Sequence, residues 1–218
     1  MWTKQVTDMI FQGVLETLYM TGLATLFGYV LGLPLGIVLA ITDKNGICPN
    51  RFIYRVLDII ANILRSIPFL ILLILLIPFT RLLVGQSYGS SATVVPLVVA
   101  ATPFIARMIE GSIKEVDSGV IEAAKSMGAG TYTIITKVLL VEARTSIAVG
   151  VTIAIGTILG YSAMAGTVGG GGLGDIAVRY GYYRYEEDIM IMTVILLVIL
   201  VQIFQFVGMR FANKINHK

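Results

Sequence analysis

Three stretches without a charged side chain decide what this chain can become. Asp, Glu, Lys and Arg are absent for 26 residues between Glu16 and Asp43, for 30 between Arg144 and Asp175, and for 21 between Asp188 and Arg210. A helix rises about 1.5 Å per residue, so each run crosses the roughly 30 Å of hydrocarbon in a bilayer. One such run would suit the core helix of a soluble domain, but three in 218 residues describe a membrane protein. Composition agrees: 56% of the residues are hydrophobic and 13% charged, about half the charged share of an ordinary soluble domain.

Two further crossings need more argument. The apolar run IPFLILLILLIPF, residues 67–79, lies in a charge-free window of 15 residues, which is short for a crossing. A helix starting near Asp58, with Arg65 reaching back to the headgroups, supplies the missing length. The next window, 82–106, is interrupted by GQSYGSSA, which predicts a turn near 85–91. The expected fold is therefore an all-α polytopic membrane protein with spans at 17–42, 59–80, 92–107, 145–167 and 189–209. A short external segment, 1–12, precedes them, and a tail, 210–218, follows.

An odd number of crossings puts the chain ends on opposite sides. One set of loops carries twelve basic residues, from Lys44, Arg51 and Arg55 through Arg107, Lys114 and Lys125 to Arg210, Lys214 and Lys218. The other set carries four, Lys4, Arg81, Arg179 and Arg184. The excess of lysine and arginine on cytoplasmic loops predicts an external amino terminus and a cytoplasmic carboxyl terminus. The first 16 residues lack a basic cluster leading into a cleavage site, so the first span is expected to be retained. Cys48 is the only cysteine, which excludes an internal disulfide and argues against metal chemistry.

The run VGGGGLGD, residues 168–175, poses the question of a phosphate loop. Such a loop ends in lysine and a hydroxyl, which reach the outer phosphates and magnesium, whereas Gly174 is followed by Asp175. No ATP site is expected on this chain. The run leaves the outer end of the fourth span, where glycines allow positive φ and close backbone approach. It reads either as a surface turn or as a packed outer gate lining a pathway. Gly171 and Gly172 are candidates for the latter, together with Tyr161, Ser162 and Met164 in the preceding span. Tyr180, Tyr182, Tyr183 and Tyr185 fit an aromatic band at the outer interface.

Between the third and fourth spans lies the cytoplasmic segment 108–144, long for a simple loop. Asp117 can cap a helix carrying Val120, Ile121 and Ala124 on one side and Glu122 and Lys125 on another, and Gly128 can end it in a left-handed turn. Thr131 can start a second amphipathic piece through Val138 and Leu139. The residues leave two readings of this element: an interfacial anchor, or a docking element for a cytoplasmic partner.

EAAKSMG, residues 122–128, resembles the glutamate-alanine-alanine motif of permease subunits of bacterial ABC importers, with the glycine at that family's spacing. Where the family places leucine-proline, this chain has Leu140 and Val141. RSIPFLILL from Arg65, ATPFIARMIE from Ala101, and GYSAMAG, GGLG and YGY between 160 and 182 resemble the membrane subunits of D- and L-methionine importers, over essentially the whole chain. The resemblance implies a homodimer, two separate ATPase subunits on the cytoplasmic side that bind ATP and magnesium, and an external methionine-binding lipoprotein. Glu122, Ala123, Ala124 and Gly128 would couple the permease to those ATPases, and the permease would hold no cofactor of its own. A related permease for another small amino acid would share all of this. An enzyme would need ionisable side chains grouped at one depth, and Asn62 with Arg65 is the nearest arrangement. Lipid is the remaining expected partner; nucleic acid is not.

Overall fold

The computed structural model describes residues 4–215. The termini beyond that range, including the expected internal placement of Lys218, lie outside the described residues.

Helix α1, Lys4–Thr42, runs 39 residues and contains the first charge-free stretch. It begins at Lys4, so residues 4–12, expected as a separate external segment, are its first turns. Helix α5, Ser90–Lys114, contains the third expected span, and α9, Arg144–Ala165, contains the fourth except its last two residues, which belong to a 3-10 turn. Helix α11, Glu187–Ile215, contains the fifth and continues through 210–215, so the expected tail is also helical as far as it is described. Each is long and apolar enough to cross a membrane.

The second crossing is broken. In place of one helix over 59–80 there are α2, Arg51–Ser66, α3, Phe69–Leu75, and α4, Ile77–Val84, with α3 bent by 101° from α2. The cause is Pro68. Its ring excludes the α region for the residue before it, and Ile67 accordingly sits at φ −79°, ψ 123°, in extended backbone. Pro68 then leads directly into α3, where a missing amide costs nothing. Counting the bent pair as one broken crossing gives five; the unbroken helices alone give four.

Lipid tails are as apolar as leucine, so transmembrane helices associate through close packing rather than hydrophobic transfer. The α1–α5 contact is built that way. Gly28, Gly32 and Gly36 recur every fourth residue along one face of α1, and Ile105, Ala106 and Ile109 of α5 lie against them. A Cβ on Gly32 would stand 2.9 Å from the Thr102 carbonyl oxygen, and one on Gly36 2.5 Å from that of Ala106. Met20, Ala24, Leu97 and Ala101 extend the buried seam, and Ala154 and Ile158 of α9 join the same core.

The segment after α5 folds as α6, Ser118–Ser126, then α7, Thr131–Thr133, a π-helical stretch over Ile134–Leu139, and α8, Leu140–Glu142. Beyond α9 a 3-10 turn, Gly166–Val168, leads through the glycine run to α10, Gly172–Ile176, and a second π-helical stretch, Ala177–Tyr182.

Candidate coupling and pathway sites

Helix α6 is closed at both ends by its own sequence. The Asp117 carboxylate accepts the Gly119 amide at 2.6 Å, satisfying one of the amides that a first helical turn leaves unpaired. At the other end Gly128 takes φ 79°. Its amide donates to the Lys125 carbonyl at 2.9 Å and that of Ala129 donates to Ala124 at 3.0 Å, the paired bonds of a Schellman cap. A Cβ on Gly128 would meet nothing within 4 Å, so backbone conformation alone calls for glycine there.

The four predicted coupling residues do not share one face. Ala124 is buried in the core cluster with Ile134 and Leu139, whereas Glu122, Ala123 and Gly128 are exposed. Two large apolar side chains stand beside them in the open, Met127 at 81% exposure and Tyr132 at 79%. One side of α6 is therefore seated on the protein, and the other offers a carboxylate, a small residue and two apolar knobs.

Where the C-terminal ends of α1 and α5 meet α2 lies a charge cluster centred on the buried Glu110. Its carboxylate receives Arg107 Nη1 at 2.7 Å, Lys114 Nζ at 2.7 Å and the Tyr54 hydroxyl at 3.2 Å. Arg107 also pairs with Asp58 and donates to Asn62 Oδ1 at 3.0 Å, and Lys114 pairs with Asp43 at 2.8 Å. The hydrogen bond from Lys114, aided by the Asn45 amide, holds the Asp43 carboxyl below the ordinary aspartate range. Charges removed from water are tolerated when paired and hydrogen-bonded, and every member here meets a partner on another helix or another turn.

At the opposite end the glycine run is clamped rather than free. The Gly172 amide donates to Glu16 Oε2 at 2.7 Å, and that of Leu173 to Thr17 Oγ1 at 2.9 Å. Thr93 donates to the Gly170 carbonyl at 3.1 Å, and the Gly89 amide to that of Gly169 at 2.9 Å. Gly170, Gly172 and Gly174 are buried. A Cβ on Gly174 would overlap the Ala163 carbonyl, and one on Gly172, itself at φ 75°, would stand 2.7 Å from Thr17 Oγ1. Of the two readings from sequence, a surface turn does not describe this arrangement; tight packing between α1, α5 and α9 does.

A sequence profile described as "Binding-protein-dependent transport system inner membrane component" matches residues 32–217. The chain belongs to that family. It is thus an inner-membrane permease component and not an enzyme. A "Probable D-methionine transport system permease protein MetI" of Vibrio cholerae is 47% identical to this permease over 217 residues, covering 100% of this chain and 96% of that one. The protein of that name from Pasteurella multocida is 44% identical, over 99% and 100%. Among solved structures, a chain from "Inward facing conformations of the MetNI methionine ABC transporter" matches with a TM-score of 0.97 and 46% identity, over 99% of this permease and 100% of that chain. A chain from an amino acid ABC transporter crystallised with histidines shares the fold, with a TM-score of 0.79 at 23% identity.

The five residues named for a pathway are not equivalent in the permease. Tyr161 lies flat on Phe69, centroids 4.6 Å apart and planes within 5°. Ser162 is 1% exposed and donates its hydroxyl to the Leu159 carbonyl at 2.7 Å. Met164 is 52% exposed, and Gly171 and Gly172 belong to the clamp. Sequence reasoning missed Glu16, which it used only as the edge of an apolar run. It also missed Glu110 with Arg107 and Asp58. A carboxylate inside α5, at positions i+3 and i−4 from Arg107 and Lys114, was the available signal. The partner 49 residues away was not available from spacing.

Proposed function

We propose that this permease, as a homodimer, forms the translocation pathway of an ATP-driven importer for L- and D-methionine. Similarity to D-methionine permeases over the whole chain supports the cargo. The observation that carries the mechanism is the half-seated, doubly capped α6. A helix held by Ala124 on one side, with Glu122, Ala123 and Met127 exposed on the other and Tyr132 of α7 exposed beside them, suits transmission of force from a cytoplasmic ATPase. Two ATPase subunits would supply the ATP and magnesium site, and α6 would enter a groove in each. Their closure would displace α6, and the packed Ala124, Ile134 and Leu139 would carry the motion toward α9.

The pathway would run along the two-fold axis between copies, bordered by the outer half of α9. Met164 projects from that half, and Tyr161 with Ser162 lies one turn inward. Gly171 and Gly172 would set the shape of the outer end, where a methionine-binding lipoprotein would deliver its cargo. The amino terminus and the glycine run would be external and α6 cytoplasmic, as the basic residues require.

Uptake of labelled L- and D-methionine by cells lacking and then regaining the chain tests the cargo. Loss and recovery of both is the expected result; unchanged methionine uptake with loss of another amino acid would reject it. Labelling a Lys125→Cys variant, with Cys48 replaced by serine, tests sidedness. A membrane-impermeant maleimide should leave it unmodified in intact cells.

A further inference from the structure

The seam between α1 and α2 is polar at one end and apolar along the rest. At the inner end, beside the charge cluster, is a depression of about 790 Å³ bordered by Lys44, Arg51 and Arg55. Next along the seam, a slot of about 250 Å³ is lined by Leu31 and Leu35 of α1 and Ile60 and Leu64 of α2, with Val98 and Thr102 of α5 as its floor. Leu35 and Leu39 of the slot and Thr42 of the depression follow at intervals of four and three, which puts both on one face of α1. From Leu31 to Thr42 the helix rises about 16 Å, close to one leaflet's share of the roughly 30 Å hydrocarbon.

Charge sets the occupant. Asp43 and Asp58 also border the depression, but Lys114 and Arg107 already engage them. Among the described residues, Lys44, Arg51 and Arg55 are in no ion pair, and all three are exposed. Next to Arg51 stands Phe52, 77% exposed, an aromatic ring where apolar core meets polar surface, the position such rings favour at membranes.

We infer that this seam binds one anionic phospholipid of the leaflet on the α6 side. Lys44, Arg51 and Arg55 would meet its phosphate and headgroup charge, and an acyl chain would lie in the slot between Leu35 and Ile60. The inference rests on the membrane placement alone and is independent of the cargo.

The test uses the full-length permease with its copurifying subunits, exchanged into an equimolar mixture of phosphatidylglycerol and phosphatidylcholine. Native mass spectrometry then reads which lipid is retained. The wild type should retain phosphatidylglycerol preferentially. The double variant Arg51→Gln, Arg55→Gln should lose about thirty-fold of that preference, each basic residue contributing roughly fivefold near an anionic surface. Arg51→Lys with Arg55→Lys should keep most of it, and Arg184→Gln, at the other end of the molecule, all of it. Glycerophosphoglycerol without acyl chains should not compete; equal competition would mean a free-anion site and overturn the lipid. Equal retention of both lipids by the wild type, or undiminished preference in the double glutamine variant, would also overturn it. So would loss of a copurifying subunit from that variant with lipid retention unchanged, because the face would then be a protein contact.

Discussion

Glu16 accepts the backbone amide of Gly172, 156 residues further along the chain, at 2.7 Å. One carboxylate on α1 thereby holds the start of α10, and Thr17 beside it holds Leu173. Glu16→Ala would leave the Gly172 amide without its acceptor, at a cost of about 1–3 kcal/mol. Glu16→Gln keeps an acceptor oxygen and should cost less. Gly172→Val adds a side chain at positive φ, about 1–3 kcal/mol, and a Cβ against Thr17. Thermal melting in detergent should rank the three with Glu16→Gln nearest wild type. Wild-type melting for Gly172→Val would show that the run is not clamped.

The cap of α6 gives a cleaner test, because Gly128 has no neighbour to displace. Gly128→Ile should cost about 1–3 kcal/mol through conformation alone, whereas Gly128→Asn, at home in a left-handed cap, should be nearly neutral. Glu122→Lys is exposed and should leave stability within about 0.5 kcal/mol. Both Gly128→Ile and Glu122→Lys should reduce recovery of the ATPase with the permease. Their combination should reduce it by less than the two effects added, as two changes at one contact do. Full recovery in every variant would make α6 an interfacial anchor.

Removing Glu110 should be the most damaging change in the charge cluster. Glu110→Ala strands Arg107 and Lys114 around a buried vacancy, at about 3 kcal/mol, the lower end for breaking a buried pair, since both cations keep a second carboxylate. Asp43→Asn should cost much less, because Lys114 retains Glu110 and reaches solvent. Asp43 also predicts a pH dependence. Its carboxyl titrates below the ordinary aspartate value of 3.8, so its contribution is complete above that value and lost as pH falls through the lowered one. Melting curves of wild type and Asp43→Asn should differ near neutrality and converge in strong acid.

The α1–α5 seam predicts a contrast between glycines of one helix. Gly32→Val would push a branched side chain into Ile105 and the Thr102 carbonyl, whereas a Cβ on Gly22 would meet nothing within 4 Å. Size-exclusion profiles and melting should show Gly32→Val aggregated or strongly destabilised and Gly22→Ala unchanged. Equal behaviour would remove close backbone approach as the cause of the α1–α5 contact.

What the sequence could reveal followed the reach of each signal. Charge-free length located α1, α5, α9 and α11, and local capping chemistry at Asp117 and Gly128 located both ends of α6. The break at Pro68 was written in the apolar run, but averaged hydropathy passes over a single proline and counts 59–80 as one helix. Helical spacing already set Ala124 apart from Glu122, but what Ala124 packs with, Ile134 and Leu139, lies beyond the reach of a motif. Glu16 acts on Gly172, 156 residues away, and Glu110 joins its local cations Arg107 and Lys114 to the distant Tyr54, so spacing could reveal the local ion pairs but neither long-range contact. Gly28, Gly32 and Gly36 carried a spacing signal as plain as that of the run at 169–174, but in a helix without an evident task.

The two π-helical stretches, Ile134–Leu139 and Ala177–Tyr182, stand before and after α9. In an unbroken α-helix each residue advances the side chains by about 100°, so the direction a residue faces is inherited from every residue before it. A π stretch closes its bonds to the fifth residue instead of the fourth and so turns each residue through a smaller angle. The side chains beyond each stretch are therefore rotated away from where an unbroken α-helix would have carried them.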